Sequence, residues 1–99
     1  MLNEVILVGK IKDINDLKDN KEEIILDVER PFDDKQGRTN DTFVCKLWYS
    51  IFSKITTVCS KGDLLAIKGR LLNENNEIFI MAEKVVLLNK NINKNNVLK

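Results

Sequence analysis

The feature that most constrains the fold is a change of periodicity within a series of short β-type segments. Apolar and polar residues alternate in 23–30 and 42–49, the period of half-buried strands. In 50–62 the apolar residues follow the helical spacing i, i+1, i+4, i+7, i+8. Three further segments are rich in aliphatic residues and indicate strands: 2–12, 63–72 and 77–88. The predicted order is therefore three strands, one helix and two strands.

This order favours a closed barrel. Strands of this length would leave unpaired edges in an open sheet, and closure removes those edges. A short helix between strands 3 and 4 is typical of the OB barrel, and Gly9 and Gly69 interrupt two long strands where sharp bending would help. We predict an all-β, five-stranded OB-fold barrel with one short helix between strands 3 and 4. A flat α+β sheet with the helix across one face is the alternative.

Local signals predict the connections between these elements. Residues 13–22 are polar without an apolar stripe and indicate a loop. Ser50 is a suitable N-cap for the helix, and Gly62 is a natural stop. Asn75 and Asn76 suit the positive φ angles of a tight hairpin. Each of these assignments fixes where one element ends and the next begins.

The length of 99 residues allows a single domain, which we place at 1–88, with a polar, asparagine-rich and disordered tail at 89–99. A membrane-spanning helix needs about 20 consecutive apolar residues, and the apolar runs here are far shorter. The N-terminus has no basic and apolar stretch typical of a secretory signal. We therefore expect a cytoplasmic protein without a membrane partner, whose Cys45 and Cys59 are reduced thiols.

Composition argues against catalysis. The chain contains no histidine, which removes the commonest general base and metal ligand, and its two cysteines form no CxxC pair. We expect no enzyme activity, no metal and no cofactor. Its 16 basic and 15 acidic side chains nearly cancel, so the net charge gives no hint of a polyanionic partner. A nucleic-acid binder would have to gather its cations on one face.

Five segments, in order and at similar spacing, resemble the bacterial single-stranded DNA-binding protein family. They are VILVGKI at 5–11, ERPFDDKQG at 29–37, FVCKLW at 43–48, CSKGDLLAIKGRL at 59–71 and MAEKVVLL at 81–88. The resemblance covers about residues 1–88. It implies an OB barrel that coats single-stranded DNA without strong sequence preference. It also implies a homo-oligomer, with a tetramer favoured over a dimer.

Two aromatic residues are candidates for stacking on DNA bases. The alternation of 42–49 places Trp48 on the face opposite Phe43, Cys45 and Leu47, although a core or interface role is the commoner one for a tryptophan. The resemblance implies that Trp48 faces DNA, because the family has an aromatic residue at this position. Phe32 matches another stacking position of the family, with a hydrophobic plug for its own loop as the alternative.

Basic residues near these positions are candidates for phosphate contacts. Any single one could serve solubility alone, so the prediction concerns the group, and Lys46, Lys61 and Arg70 carry most of it. Lys46 shares the outward face with Trp48, and Lys61 matches a lysine that the family uses at the DNA surface. The full set of predicted phosphate-binding residues is Lys46, Lys61, Arg70, Lys68, Lys35 and Arg38.

The sequence also departs from the family pattern. Thr42 stands at a second stacking position, unless Phe43 reaches it through a one-residue shift. Glu4 stands at a usually basic position, and Asp27 and Glu29 are predicted to point outward, where they would repel phosphate. The hairpin after residue 72 is short, and the chain ends in NKNNVLK rather than in an acidic tail. Recruitment of other proteins through such a tail is therefore not expected.

Two functions of different class follow from these observations. The first is sequence-independent binding and coating of single-stranded DNA in replication, recombination or repair, by aromatic stacking and phosphate contacts. The second is an OB-fold protein-interaction module with a weakened DNA face, such as a primosome-like accessory or a partner subunit. A nuclease on this scaffold is disfavoured by the absence of histidine and of a convincing carboxylate cluster.

Overall fold

Five strands and one helix form in the predicted order. The computed structural model describes residues 1–17, 21–31, 37 and 39–89. The elements are β1 (Val5–Leu17), β2 (Lys21–Glu29), β3 (Asn40–Lys46), α1 (Tyr49–Val58), β4 (Leu64–Glu74) and β5 (Glu77–Asn89). The predicted tail at 89–99 begins one residue too early, because Asn89 closes β5, and the rest of that segment lies outside the described residues.

The strands close into a barrel in the order β1-β2-β3-β5-β4. β1 belongs to both sides of the barrel, since residues 5–10 pair with β4 and residues 10–17 pair with β2. The barrel is closed by a parallel pairing of β3 with β5, in which Cys45 lies opposite Ile80 and Lys46 opposite Met81. The prediction of a five-stranded OB barrel with a helix between strands 3 and 4 is confirmed.

Alternate residues of the strands fill the interior. On β2, Ile24 and Leu26 are fully buried, whereas Ile25 and Asp27 lie half-buried on the outer face. Helix α1 contributes Phe52 to the same core. The buried cluster comprises Ile11, Ile24, Leu26, Cys45, Leu47, Phe52, Ile55, Cys59, Leu65, Ile67, Ile80 and Ala82. Within the described ranges, no helix is long and apolar enough to cross a membrane.

The prediction of a loop over 13–22 is wrong. β1 continues to residue 17, and β2 begins at residue 21, so that this polar stretch forms most of an antiparallel hairpin arm. Asp13 lies opposite Ile25 and Ile14 opposite Ile24, after a bulge between Ile11 and Asp13. Ile14 packs against the core, and backbone pairing continues the two strands on either side of it, which needs no apolar stripe.

The predicted limits of strand 3 and of the helix are also wrong. β3 ends at Lys46, and Trp48 rather than Ser50 is the N-cap of α1. The Trp48 carbonyl accepts the first helical bonds from the backbone N–H groups of Ile51 and Phe52, at 3.0 and 2.9 Å. Gly62 does not stop the helix, which ends at Val58, but lies in a later turn with φ of 93°.

Two glycines mark places where backbones meet closely. A Cβ atom on Gly9 would lie 2.5 Å from the carbonyl oxygen of Asp27, and one on Gly69 would overlap the carbonyl of Met81. The register of β4 against β5 shifts beside Gly69, which confirms the expected irregularity in that strand. The hairpin prediction is confirmed as well, because Asn75 and Asn76 have φ angles of 53° and 66°.

Candidate nucleic-acid interface

Trp48 lies at the junction of β3 and α1, with its backbone fixed and its ring in solvent. Leu47, one residue earlier, is buried and donates its N–H to the carbonyl of Glu22 at 3.1 Å. Trp48 itself is extended, with φ of −62° and ψ of 144°, and its side chain is 64% exposed. The ring faces away from the core as predicted, although the residue follows β3 rather than belonging to it.

Tyr49 is a neighbouring aromatic residue whose direction the alternating pattern does not predict. Continued alternation of 42–49 would put it on the inward face with Phe43, but it begins α1 and is 62% exposed. The signal that could have found it is the aromatic pair itself at a strand-to-helix junction, where the helical turn changes the direction of the second side chain. Trp48 and Tyr49 thus place two aromatic side chains at one point of the barrel surface.

Both rings line a cleft of about 470 Å³. Lys46, Leu72 and Met81 contribute its apolar and basic surface, and Glu22 and Glu74 add carboxylates. Such a volume falls in the range of ligand clefts, roughly 300–1,000 Å³. The cleft therefore combines aromatic faces with one ammonium group and two acids.

Lys46 lies on the outer face of β3, as predicted, and its ammonium group has two partners. It sits 4.0 Å from the centroid of the Phe79 ring and 3.4 Å from Oε1 of Glu74. Phe79 was not a candidate residue. It lies on β5 out of phase with the inward Ile80 and Ala82, so it faces outward, yet it is only 7% exposed. The alternation of β5 could have identified it.

Arg70 lies in the same lateral row as Lys46. On the outer face of the sheet, Arg70 of β4 lies opposite Met81 of β5, and Met81 lies opposite Lys46 of β3. Two steps between adjacent strands separate the two basic residues, about 9–10 Å between their backbones. Arg70 Nε is 3.9 Å from Glu83 Oε2. The structure therefore brings Trp48, Lys46 and Arg70 to one region.

Lys61 and Lys68 lie elsewhere on the barrel. Lys61 follows the far end of α1, and this ten-residue helix extends for about 15 Å. Its ammonium is 3.4 Å from Asp13, whose pKa is lowered by a hydrogen bond from the Ile14 backbone and by Lys61. Lys68 lies opposite Ile6 on the β1 side and is 3.0 Å from Glu4, which raises the lysine pKa.

Three predicted site residues, Phe32, Lys35 and Arg38, lie outside the described residues. At the second stacking position of the resemblance, Thr42 is exposed. Phe43 packs against the core, so it does not reach that position through a one-residue shift. Asp27 and Glu29 lie on the outer face of β2, as predicted, because they alternate with the buried Ile24 and Leu26 of the same strand.

The two cysteines are buried, and burial changes the chemistry of Cys45. Cys45 and Cys59 are both buried thiols, and burial raises the pKa of Cys45 to about 12. A thiol with that pKa stays protonated near neutral pH and is a poor nucleophile. Among the described residues, no group of three or more histidine, cysteine, aspartate or glutamate residues could hold a metal ion.

The closed five-stranded barrel with its helix between β3 and β4 defines this chain as an OB-fold protein. No family model matches the sequence. A single-stranded DNA-binding protein from Oceanobacillus iheyensis is 29% identical over 83 residues, which cover 78% of this chain and 52% of that protein. The resemblance to bacterial single-stranded DNA-binding proteins is therefore confirmed, and the chain spans about half the length of this curated relative.

Solved structures support the fold at lower identity. The mitochondrial single-stranded DNA-binding protein Rim1 of S. cerevisiae superposes with a TM-score of 0.70 at 13% identity, over 91% of this chain and 97% of that one. The dimeric N-terminal domain of PriB from Thermoanaerobacter tencongensis gives 0.64 at 20% identity, over 89% and 98%. At these identities, the likeness concerns the OB fold.

Proposed function

We propose that this chain binds and coats single-stranded DNA without strong sequence preference, in replication, recombination or repair. The observation that carries the proposal is the exposed Trp48 ring, fixed at the backbone and placed beside Tyr49 and Lys46 in a surface cleft of an OB barrel. The similarity to the single-stranded DNA-binding protein of Oceanobacillus iheyensis supports it.

The proposed mechanism is binding without catalysis and without a cofactor. An unstacked base lies against the Trp48 ring, a contact that contributes about 1–3 kcal/mol. Lys46 and Arg70 donate hydrogen bonds to neighbouring phosphates, and each neutralised phosphate releases counterions from the strand. Every nucleotide has a base with an aromatic face and a phosphate, which explains the lack of sequence preference.

The remaining predicted residues belong to the proposal as extensions of this central region. Lys61 would contact the strand beyond the far end of α1, and Lys68 beyond Arg70 along β4. Phe32, Lys35 and Arg38 would contribute from the segment between β2 and β3. Since neither Lys61 nor Lys68 lines the Trp48 cleft, their substitution should affect long oligonucleotides more than short ones.

We also propose a homo-oligomer, with a tetramer favoured over a dimer, in the cytoplasm. The outer face of β1 exposes Ile6 and Val8, and Val8 lies opposite Ala66 of β4. A second copy covering this apolar surface would remove it from water. The PriB domain of similar fold is dimeric, which supports association through the barrel.

The test is a titration of fluorescein-labelled oligo(dT) of several lengths at two salt concentrations, followed by anisotropy. We expect binding that weakens as salt rises, with a log–log slope of about −0.7 for each phosphate neutralised. Trp48 is the only tryptophan of the chain, so quenching of intrinsic fluorescence reports on this ring alone. Duplex DNA of the same length is the competitor, and we expect it to bind more weakly.

Two variants at Trp48 separate stacking from folding. Trp48→Phe retains an aromatic face and should retain most of the affinity. Trp48→Ala should lower the affinity about 5- to 150-fold, the equivalent of one lost stacking contact. Circular dichroism should show both variants folded. Absence of binding at low salt, or equal affinities for the two variants, would contradict the proposal.

A protein-interaction module is the second candidate function. Its support is the pairing of the candidate cations with carboxylates, since Lys46, Lys61 and Lys68 each lie within 3.4 Å of an acidic side chain. A chain that fails to bind oligo(dT) at low salt, yet forms a stable complex with a replication protein, would favour this function.

A further inference from the structure

The ammonium group of Lys46, a candidate phosphate-binding group, already has two contacts within the protein. Its side chain is 33% exposed, and the ammonium group lies between the carboxylate of Glu74 and the face of the Phe79 ring. Three surface clefts meet at Phe79, and the first of them is also lined by Lys46, Glu74 and Glu77. The ring is nevertheless 7% exposed, with the lysine ammonium over its face.

We propose that Glu74 competes with nucleic-acid phosphate for Lys46, and that release of Lys46 uncovers Phe79 as a further stacking face. This inference rests on the proposed function and assigns two residues to it. Glu74 lowers the affinity of the site by holding the ammonium group, and Phe79 adds a base contact that Trp48 and Tyr49 do not supply.

The energies make this exchange feasible. The Glu74 side chain is 64% exposed, and exposed ion pairs are weak because water screens both charges. A phosphate and a carboxylate each carry a negative charge. Binding of a phosphate also releases counterions from the DNA, whereas pairing with a carboxylate of the same chain releases none. When a base replaces the ammonium over Phe79, a stacking contact replaces a cation–π contact of smaller or similar strength.

The fold holds the competing acid close to the site. Glu74 ends β4 immediately before the Asn75–Asn76 turn, and Glu77 begins β5 on the other side. Glu77 forms no ion pair with Lys46 in the described structure. Glu23 lies opposite Lys46 on β2 and lines the same cleft. Glu74 is therefore the described carboxylate that holds the lysine, and Glu77 is a matched control for charge in the same hairpin.

The experiment measures the affinity for labelled oligo(dT) by anisotropy in the wild type, Glu74→Gln and Glu77→Gln. Both substitutions remove one negative charge from the hairpin, so a general charge effect raises the affinity equally. Direct competition predicts that Glu74→Gln binds about two- to fivefold more tightly than Glu77→Gln, the range of an exposed ion pair. Equal affinities for the two variants would overturn the proposal.

Phe79→Leu tests the second half of the proposal. Leucine keeps most of the apolar volume, and circular dichroism and urea unfolding check that the barrel is intact. We expect Phe79→Leu to lower the affinity at least about fivefold, in the Glu74→Gln background as well as in the wild type. An unchanged affinity in a folded variant would show that Phe79 takes no part in binding.

The outcomes also separate this inference from the proposed function. If the wild type and all variants fail to bind oligo(dT) at low salt, the proposed function fails and this inference fails with it. If the wild type binds and loses affinity on Trp48→Ala, while Glu74→Gln equals Glu77→Gln, only the inference about Glu74 is wrong.

Discussion

At the scale of single residues, the positive potential of this surface is smaller than the number of its cations suggests, because cations such as Lys46 lie next to carboxylates. Lys46, Lys61 and Lys68 lie within 3.4 Å of a carboxylate, and Arg70 lies 3.9 Å from one. These pairs are exposed, so water screens both charges and each pair contributes little to stability. They are therefore weak enough for a phosphate to displace, but they reduce the net attraction of the site.

Gly69 has the closest approach among Gly9, Gly37 and Gly69, because a Cβ atom there would overlap the Met81 carbonyl of the neighbouring strand. We expect Gly69→Ala to lower the free energy of unfolding by about 1–3 kcal/mol, the typical cost of overpacking. Urea unfolding followed by circular dichroism measures this change.

Gly37→Ala is the control for Gly69→Ala. Gly37 has φ of 78° and nothing within 4 Å of an added Cβ, so its substitution adds backbone strain without a clash. We expect a cost of about 1 kcal/mol. A Gly69→Ala variant as stable as Gly37→Ala would mean that β4 and β5 do not approach as closely as described.

Cys45 should be unreactive in the folded protein, since burial raises its pKa to about 12 from the ordinary 9.0. The folded state therefore keeps the proton more tightly than the unfolded state. This contribution to stability is full below about pH 9 and is lost as the pH rises towards 12. In a Cys59→Ala variant, where Cys45 is the remaining thiol, we expect DTNB to react far more slowly in buffer than in guanidinium.

Equal rates of this DTNB reaction in buffer and in denaturant would show that the barrel opens freely around Cys45. Alkaline unfolding gives a second measurement. Stability should decline above pH 9 more steeply in the Cys59→Ala variant than in a variant that also lacks Cys45.

At the scale of the elements, helix α1 should be held by packing rather than by intrinsic propensity. Its N-cap residue makes no side-chain capping bond, and two threonines lie in its last turn. Phe52, in contrast, is 3% exposed and belongs to the core. We expect Phe52→Ala to cost about 3–5 kcal/mol in unfolding free energy.

The control for Phe52→Ala lies on the other face of the same helix. Val58 is 50% exposed, so Val58→Ala should change stability by no more than about 0.5 kcal/mol. Urea unfolding of the two variants gives the comparison. Similar values for both would mean that packing of Phe52 in the core does not hold α1 in place.

The sequence predicted element types better than element limits. Alternation identified β2 because Ile24 and Leu26 point inward, and helical spacing identified α1 because Phe52 and Ile55 face the core. The alternating pattern does not predict the strand residues 13–17 and 21–22, because most of their pairing is between backbones, which leaves no mark in the side-chain pattern. Periodicity therefore detects burial, and it does not detect strands that extend past the core.

The direction of a site residue could be predicted from the sequence where the backbone stays extended beyond the end of the strand. Trp48 faces outward although β3 ends at Lys46, because residue 48 is still extended and keeps the alternation. Tyr49 breaks the pattern since the helix begins there. The carboxylate partners of Lys61 and Lys68 come from distant parts of the chain, Asp13 and Glu4, and no local pattern reveals them.

At the scale of the whole molecule, the exposed apolar face of β1 should decide the oligomeric state. Val8 is 47% exposed and lies opposite Ala66 of β4. If a second copy covers this face, Val8→Lys buries a charge in the interface and should shift the protein to monomers. Sedimentation velocity at several concentrations measures the shift.

Val58 provides the matched control for Val8. It is a valine of similar exposure, 50%, but it lies at the end of α1, where a lysine is favourable for the helix dipole. Val58→Lys should leave the oligomer intact. Dissociation by both variants, or by neither, would place the association surface elsewhere.

The parallel seam between β3 and β5 joins the two halves of the barrel through Cys45–Ile80 and Lys46–Met81, whereas β4 and β5 pair along nearly their whole lengths. The least protected amide hydrogens of the sheet should therefore lie next to the Trp48 cleft. In the proposed function, widening the groove for a DNA strand would need to break only this short ladder, while the long β4–β5 pairing stays in place.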